Sequence, residues 1–272
     1  MNDSRPIGVF DSGLGGLTAV RALQTLLPNE HIVYFGDTGR VPYGTRSRET
    51  VRKYARQDMR FLLSHEVKMV IAACNTVSAS VSDDDLSLLH VPFIEVLTPA
   101  ARRAVSCTKN KKVALIGTPA TVKSGAYERA IHALNPDITL TPVACPLFVP
   151  LVENGFTADD DPVTTLVAQK YLAPVIESGA DTLILGCTHY PILKGVLRRV
   201  LGDSVTLIDS GKEAAKQAKD CLMKNGLLAA DTQTGETQYY VSDSAESFAM
   251  LAEPIIGESV ADCATQIDID TY

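Results

Sequence analysis

Short apolar runs rich in β-branched residues alternate along the chain with longer stretches whose apolar positions recur at helical spacing. The runs Ile7–Phe10, His31–Phe35, Met69–Ala73, Phe93–Val96, Val113–Ile116, Thr139–Val143, Thr182–Leu185 and Val205–Ile208 read as strands. They are apolar throughout rather than alternating, the pattern of strands buried on both faces. Between them Gly16–Leu27, Ser47–His65, Pro119–Leu134, Val163–Ser178 and Gly211–Asn225 read as helices. Gly, Pro, Asp, Ser or Thr stands at nearly every strand end. Strand–helix alternation of this kind builds βαβ units, so the chain is expected to be α/β with parallel sheets.

The pattern also echoes itself. Met69-Val-Ile-Ala-Ala-Cys74-Asn-Thr resembles Thr182-Leu-Ile-Leu-Gly-Cys187-Thr-His, 113 residues on. Ile7-Gly-Val-Phe-Asp11-Ser resembles Val113-Ala-Leu-Ile-Gly117-Thr118, with Asp11 and Thr118 107 residues apart. Parallel strands all look alike, so the apolar echo alone carries little. The cysteine repeated at one strand end points to two similar α/β domains related by pseudo-two-fold symmetry. Residues 98–207 would form the second. Residues 1–97 would form the first, with 208–272 packed back on it.

Composition narrows the class. The chain has 272 residues, 46% hydrophobic and 21% charged, as in ordinary globular proteins. No apolar run reaches the roughly 18 residues that a bilayer span needs, so no membrane association is expected. The opening MNDSRPIGVF lacks the basic and apolar regions of a signal peptide. The net charge of −7 argues against a nucleic-acid partner. The six cysteines are dispersed without a CxxC pair, so reduced thiols, a cytoplasmic location and no metal site are expected.

In open α/β sheets, ligands bind beyond the carboxyl ends of the strands. The residues there are Asp11, Ser12 and Gly13-Leu14-Gly15-Gly16; Asp37, then Pro42-Tyr43-Gly44; Cys74-Asn75-Thr76; Thr118 and Thr121; and Cys187-Thr188-His189, with Glu153 in a nearby loop. The glycines nearly match a dinucleotide fingerprint with Asp37 as the ribose acid. The third glycine is missing, however, and Asp11 would put a carboxylate beside the pyrophosphate. A thiol at a strand end feels the positive end of the following helix, which favours thiolate. Lowering a free pKa of about 8.5 to near 7 takes about 2 kcal/mol. Two such thiols facing one carbon would remove a proton from one side and return one to the other, inverting the centre. Ser12, Asn75, Thr76, Thr118, Thr121 and Thr188 offer donors for carboxylates. Asp11 and Asp37 could hold an ammonium, orient a thiol, or be plain helix caps. His189 could relay protons or be a packing residue. A nucleophilic cysteine with a histidine base, or a non-catalytic binding module, are further readings. Cys107, Cys145, Cys221 and Cys263 lack such a setting and read as structural.

The segments GVFDSGLGGLT, GDTGRVPYG, AACNTVSA and GCTHYP resemble the glutamate racemases of the aspartate/glutamate racemase superfamily, over about residues 6–225. His189 and Pro42-Tyr43-Gly44 point to glutamate rather than aspartate. The resemblance implies cofactor-independent exchange of L- and D-glutamate, with D-glutamate feeding bacterial peptidoglycan synthesis. It implies Cys74 as the base toward D-glutamate and Cys187 toward L-glutamate, assisted by Asp11, His189 and Glu153. Ser12, Tyr43, Gly44, Asn75, Thr76 and Thr188 would bind substrate. Ala72-Ala73 and Ser210 depart from the usual residues. The short stretch before the first strand resembles members without an activator-dependent N-terminal extension, which are often homodimers.

Overall fold

The apolar runs become strands of two parallel sheets in the computed structural model, which describes residues 2–272. The first sheet contains β1 (Ile7–Asp11), β2 (Ile32–Gly36), β3 (Met69–Ala72) and β4 (Phe93–Glu95). The second contains β5 (Lys112–Gly117), β6 (Thr139–Ala144), β7 (Thr182–Gly186) and β8 (Thr206–Asp209). The chain then returns to the first sheet with β9 (Thr237–Val241) and β10 (Ala264–Gln266). The orders are β10-β9-β2-β1-β3-β4 and β6-β5-β7-β8, with every pair parallel. Without β9 and β10, both lobes share one order, and β3 and β7 occupy equivalent places. The sequence echo is therefore topological.

Each sheet is buried on both faces because alternate residues of one strand feed two clusters. Met69, Ile71 and Ala73 pack with the helices Leu17–Leu26 and Ser210–Asn225. Val70, Ala72 and Cys74 pack with Arg48–Ser64. In the second lobe Ala114 and Ile116 join one cluster while Val113 and Leu115 join the other. The order also opens a crevice at the carboxyl ends of β1 and β3, where successive connections leave toward opposite edges of the sheet. The same holds for β5 and β7. These two crevices face one another, and the site lies between them.

Three features depart from the expected elements. Residues 119–134 form two helices, Pro119–Ser124 and Ala126–Leu134, because Gly125 sits at φ +63° in the left-handed region. β9 and β10 were not foreseen, nor was the helix Ala245–Ile256, whose Ser244 cap accepts from Ser247 N. The returning segment is anchored by Lys68, which is fully buried. Its Nζ pairs with Glu30 at 2.5 Å and donates to Asp3 O and Leu227 O at 2.6 and 2.8 Å. Among the described residues no helix is long and apolar enough to cross a membrane.

Candidate active site

Cys74 and Cys187 line one small cavity of about 20 Å³ between the lobes. β3 ends at Ala72, and Cys74 is the N-cap of the one-turn helix Asn75–Ser78. β7 ends at Gly186, with Cys187 next and a 3-10 turn, Tyr190–Leu193, beyond His189. Ser12, Tyr43, Gly44, Asn75, Thr76, Thr118, Thr188 and His189 line the same space, with Val41, Pro42 and Val149 as apolar wall. Most of the strand-end residues singled out in the sequence are thus brought together. Asp11, Thr121 and Glu153 stand one layer behind.

Asp11 is fully buried, and its carboxylate is already engaged. Oδ2 accepts from Gly13 N and Gly16 N at 3.1 and 3.0 Å, closing the start of helix Leu17–Leu26. Oδ1 accepts from Thr188 Oγ1 of the other lobe at 3.2 Å. Asp11 thus ties the 13–16 turn to Thr188 of the other lobe, while the N-cap of the helix is Gly16, without a side-chain cap. Asp37 is neither a cap nor a cavity residue. It accepts from Arg40 Nε at 2.6 Å, Ser242 Oγ at 2.7 Å and the Tyr43 hydroxyl. The Tyr43 hydroxyl is accordingly engaged by this cluster, while the residue still lines the cavity. Asp58 shares Arg40 and the Tyr43 hydroxyl, at 3.4 and 3.2 Å. Burial, with Asp37 beside it, pushes the Asp58 carboxyl well above its ordinary value. This cluster props the 42–44 turn.

The glycines set the seam between the lobes rather than a phosphate cradle. A Cβ on Gly15 would lie 2.3 Å from Thr188 Oγ1 and 2.8 Å from His189 N. One on Gly44 would lie 2.6 Å from Thr118 Cβ. Thr76 Oγ1 meets Thr118 Oγ1 at 3.0 Å, and Thr121 backs both, with its hydroxyl 3.0 Å from that of Thr118.

The charges around the two sulfurs differ. Cys74 Sγ has Ser12 Oγ at 3.8 Å. Burial pushes the Cys74 thiol up, and Asp11 adds to that; the Val77 N–H at the helix start acts in the opposite sense but is outweighed. The helix-lowered thiol expected from the sequence is thus not found at Cys74, because one helical turn is a weak dipole set against complete burial. Cys187 Sγ lies 3.8 Å from His189 Nδ1, and His189 Nε2 lies 3.1 Å from Glu153 Oε1. Burial works to lower the His189 pKa, but the Cys187 and Glu153 partners outweigh it and raise it to about 10. His189 is therefore an imidazolium near neutral pH, placed to exchange a proton with Cys187.

Sequence reasoning missed Asp58 and Tyr127, and noted Ser210 only as a departure from the usual residue, not as a partner of Asn75. Asp58 had a usable signal: it interrupts the buried stripe Val51, Ala55, Met59, Leu62 of its helix. The other two have none, since their partner Asn75 is distant in sequence.

Comparison with known proteins gives a consistent picture. The family model described as Asp/Glu/Hydantoin racemase matches residues 16–218. A glutamate racemase from Syntrophus aciditrophicus is 48% identical over 255 residues, 94% of each chain. The crystal structure of a glutamate racemase isoform from Bacillus anthracis superposes with a TM-score of 0.92 at 36% identity, covering 97% of each chain. That of a glutamate racemase from Francisella tularensis in complex with D-glutamate superposes at 0.91 with 40% identity, covering 99% of this chain and all of the other.

Proposed function

The chain belongs to the Asp/Glu/hydantoin racemase family, among its glutamate racemases, and on that premise we propose that Cys74 and Cys187 interconvert L- and D-glutamate by two-base proton transfer at Cα. The observation that carries the reading is the pair of cysteines at equivalent strand ends of two like sheets, lining one cavity. One sulfur, as thiolate, takes the Cα proton. The other, as thiol, delivers its own proton to the opposite face. The roles exchange for the reverse reaction.

The surrounding groups divide the remaining work. Burial keeps Cys74 a neutral thiol at rest, ready to act first as the acid. The His189 imidazolium passes a proton to or from Cys187, with Glu153 holding its far nitrogen. Asp11 fixes Thr188 and the 13–16 turn across the seam. Ser12, Asn75, Thr76 and Thr118, with the main chain of Tyr43, Gly44 and Thr188, present donors to the two carboxylates. Thr121 orients Thr118 from behind. The D-glutamate complex of the Francisella relative supports glutamate as the substrate. A cavity of about 20 Å³ has room for about one water, which needs roughly 10–15 Å³ of such space, and glutamate is several times larger. Substrate therefore enters by parting the lobes. A thiolate, a thiol and an imidazolium suffice for the chemistry, and among the described residues no lysine lines the cavity to hold a Schiff base. The reading carries with it a cofactor-free reaction in the cytoplasm, with D-glutamate as the product destined for peptidoglycan.

The test is incubation of chelated, dialysed protein with L-glutamate in D2O. D-glutamate carrying deuterium at Cα is expected. Absence of both, or activity restored only by pyridoxal phosphate, overturns the reading.

A further inference from the structure

Asn75 lines the cavity one residue after Cys74, and a buried hydrogen-bond chain runs through its side-chain amide. Tyr127 Oη lies 2.6 Å from Asn75 Oδ1. Asn75 Nδ2 lies 3.1 Å from Ser210 Oγ. Ser210 Oγ lies 3.2 Å from the carbonyl oxygen of Leu185, two residues before Cys187. Asn75, Tyr127 and Ser210 are each at most 1% exposed. The chain spans both lobes and joins the start of the Cys74 helix to the strand that carries Cys187.

The direction of every bond follows from its end. A carbonyl only accepts, so the single Ser210 hydrogen goes to Leu185. Ser210 Oγ must then accept from Asn75, which requires nitrogen on that side of the amide. Oxygen therefore faces Tyr127, and Tyr127 donates. Tyr127 has a hydrogen to give: burial, then the Glu95 and Cys187 charges, hold its pKa well above the ordinary value. Its ring sits in an apolar cluster with Leu97, Ala100, Ala101 and Ile131, a poor setting for a hydroxyl turned elsewhere. A flipped amide would deprive Leu185 of its Ser210 donor and strand the Tyr127 hydrogen. Nδ2 carries two hydrogens, and among the described residues only Ser210 takes one.

We propose that Tyr127 and Ser210 are positioning residues that lock the Asn75 amide nitrogen toward the ligand, so that Asn75 is a fixed donor selecting a carboxylate over a carboxamide at that place. A free asparagine reads either group equally well by rotating. This one cannot rotate, so an incoming carboxamide either meets its N–H head on with the NH2 group or, giving it the oxygen, turns the NH2 group toward the neighbouring main-chain donors of the cavity. The proposal rests on the glutamate reading above.

Direct calorimetric binding tests it independently of turnover when done in a Cys187→Ser background, where no racemisation occurs during the titration. The probes are D-glutamate, D-glutamine (amide in place of the side-chain carboxylate) and D-isoglutamine (amide in place of the α-carboxylate). In Tyr127→Phe one of the two locks is gone and the amide turns more readily, held only by Ser210. D-glutamate should bind about tenfold more weakly, the loss expected for part of a hydrogen bond to a charged group. The preference for D-glutamate over one of the two amides should narrow by a similar factor, while with Cys187 intact kcat changes little and KM rises. A merely structural Tyr127 would lower thermal stability and leave the carboxylate-to-amide ratio unchanged, which overturns the proposal. Should Tyr127→Phe fail to fold, Asn75→Asp places an acceptor at the same point. It should weaken D-glutamate more than one amide, and an equal loss for all three ligands overturns the proposal. Wild-type protein that does not bind D-glutamate overturns both readings. Wild-type protein that racemises glutamate while the ratios stay fixed overturns this one alone.

Discussion

Gly15→Ala puts a single methyl group into the seam on which both proposed bases depend. Its Cβ would stand 2.3 Å from Thr188 Oγ1, 2.6 Å from His189 Nδ1 and 2.8 Å from His189 N, where ordinary contact begins at 3.4 Å. The threonine hydroxyl can swing aside, but only by giving up its bond to Asp11. The His189 main chain has no such escape, so it must retreat by about 0.6 Å and carry Cys187 and the imidazole with it. Overpacking of this kind costs about 1–3 kcal/mol, which the fold should survive. Catalysis is less forgiving: a misplacement of order 1 Å costs about 10²-fold. Racemisation followed by polarimetry or enantiomer-specific oxidation should therefore fall by about that factor, with a cooperative thermal transition retained. Gly39→Ala, whose Cβ comes no nearer than 3.3 Å to Ser242 Oγ, serves as the control and should be near wild type. Full activity in Gly15→Ala would refute the claim that this turn sets the closed geometry.

Arg40→Leu removes the cation shared by the fully buried carboxylates Asp37 and Asp58; urea unfolding should show a loss of about 3–5 kcal/mol, with a raised KM because the 42–44 turn loses its prop. Glu153→Gln removes the charge that helps raise the His189 pKa to about 10, so the alkaline limb of the kcat profile should move to lower pH; an unmoved limb would dissociate His189 from it. The same group has a stability signature. Its folded pKa lies above the unfolded value, so its contribution is full below about pH 6.5 and is lost as pH rises toward about 10. The Tm advantage of wild type over His189→Asn should shrink across that window.

How legible the molecule was depends on how local each cause is. Most of the first eight strands announced themselves because parallel strands buried on both faces are apolar along their length; the edge strand β6, with its polar and part-exposed positions, was legible only as a short run beside them. The Cys74 and Cys187 echo was visible because it lies at one place in a repeated unit, and the shared strand order gives it meaning. β9 was less legible: Thr237-Gln-Tyr-Tyr-Val carries polar positions and joins β2 across nearly the whole chain. The break at Gly125 was hidden inside a good helical pattern. Residue type located Asp37 and Tyr43 near the site, but their direction was set by Arg40, Asp58 and Ser242, which no spacing rule connects. The Cys74 thiol shows the same limit: the helix start is readable in sequence, whereas complete burial is a property of the assembled lobes.

The central claim is that each cysteine serves one face of the substrate carbon. Cys74→Ser and Cys187→Ser should each abolish racemisation of glutamate, since serine is too weak a base near neutral pH. A glutamate analogue with a leaving group at Cβ needs only one deprotonation before it eliminates, so each variant should still process one enantiomer. With Cys74 on the D face and Cys187 on the L face, Cys187→Ser should eliminate from the D analogue alone and Cys74→Ser from the L analogue alone, both with wild-type circular dichroism. Racemisation surviving in both variants, or one variant retaining both enantiomers while the other loses both, would contradict the two-base account.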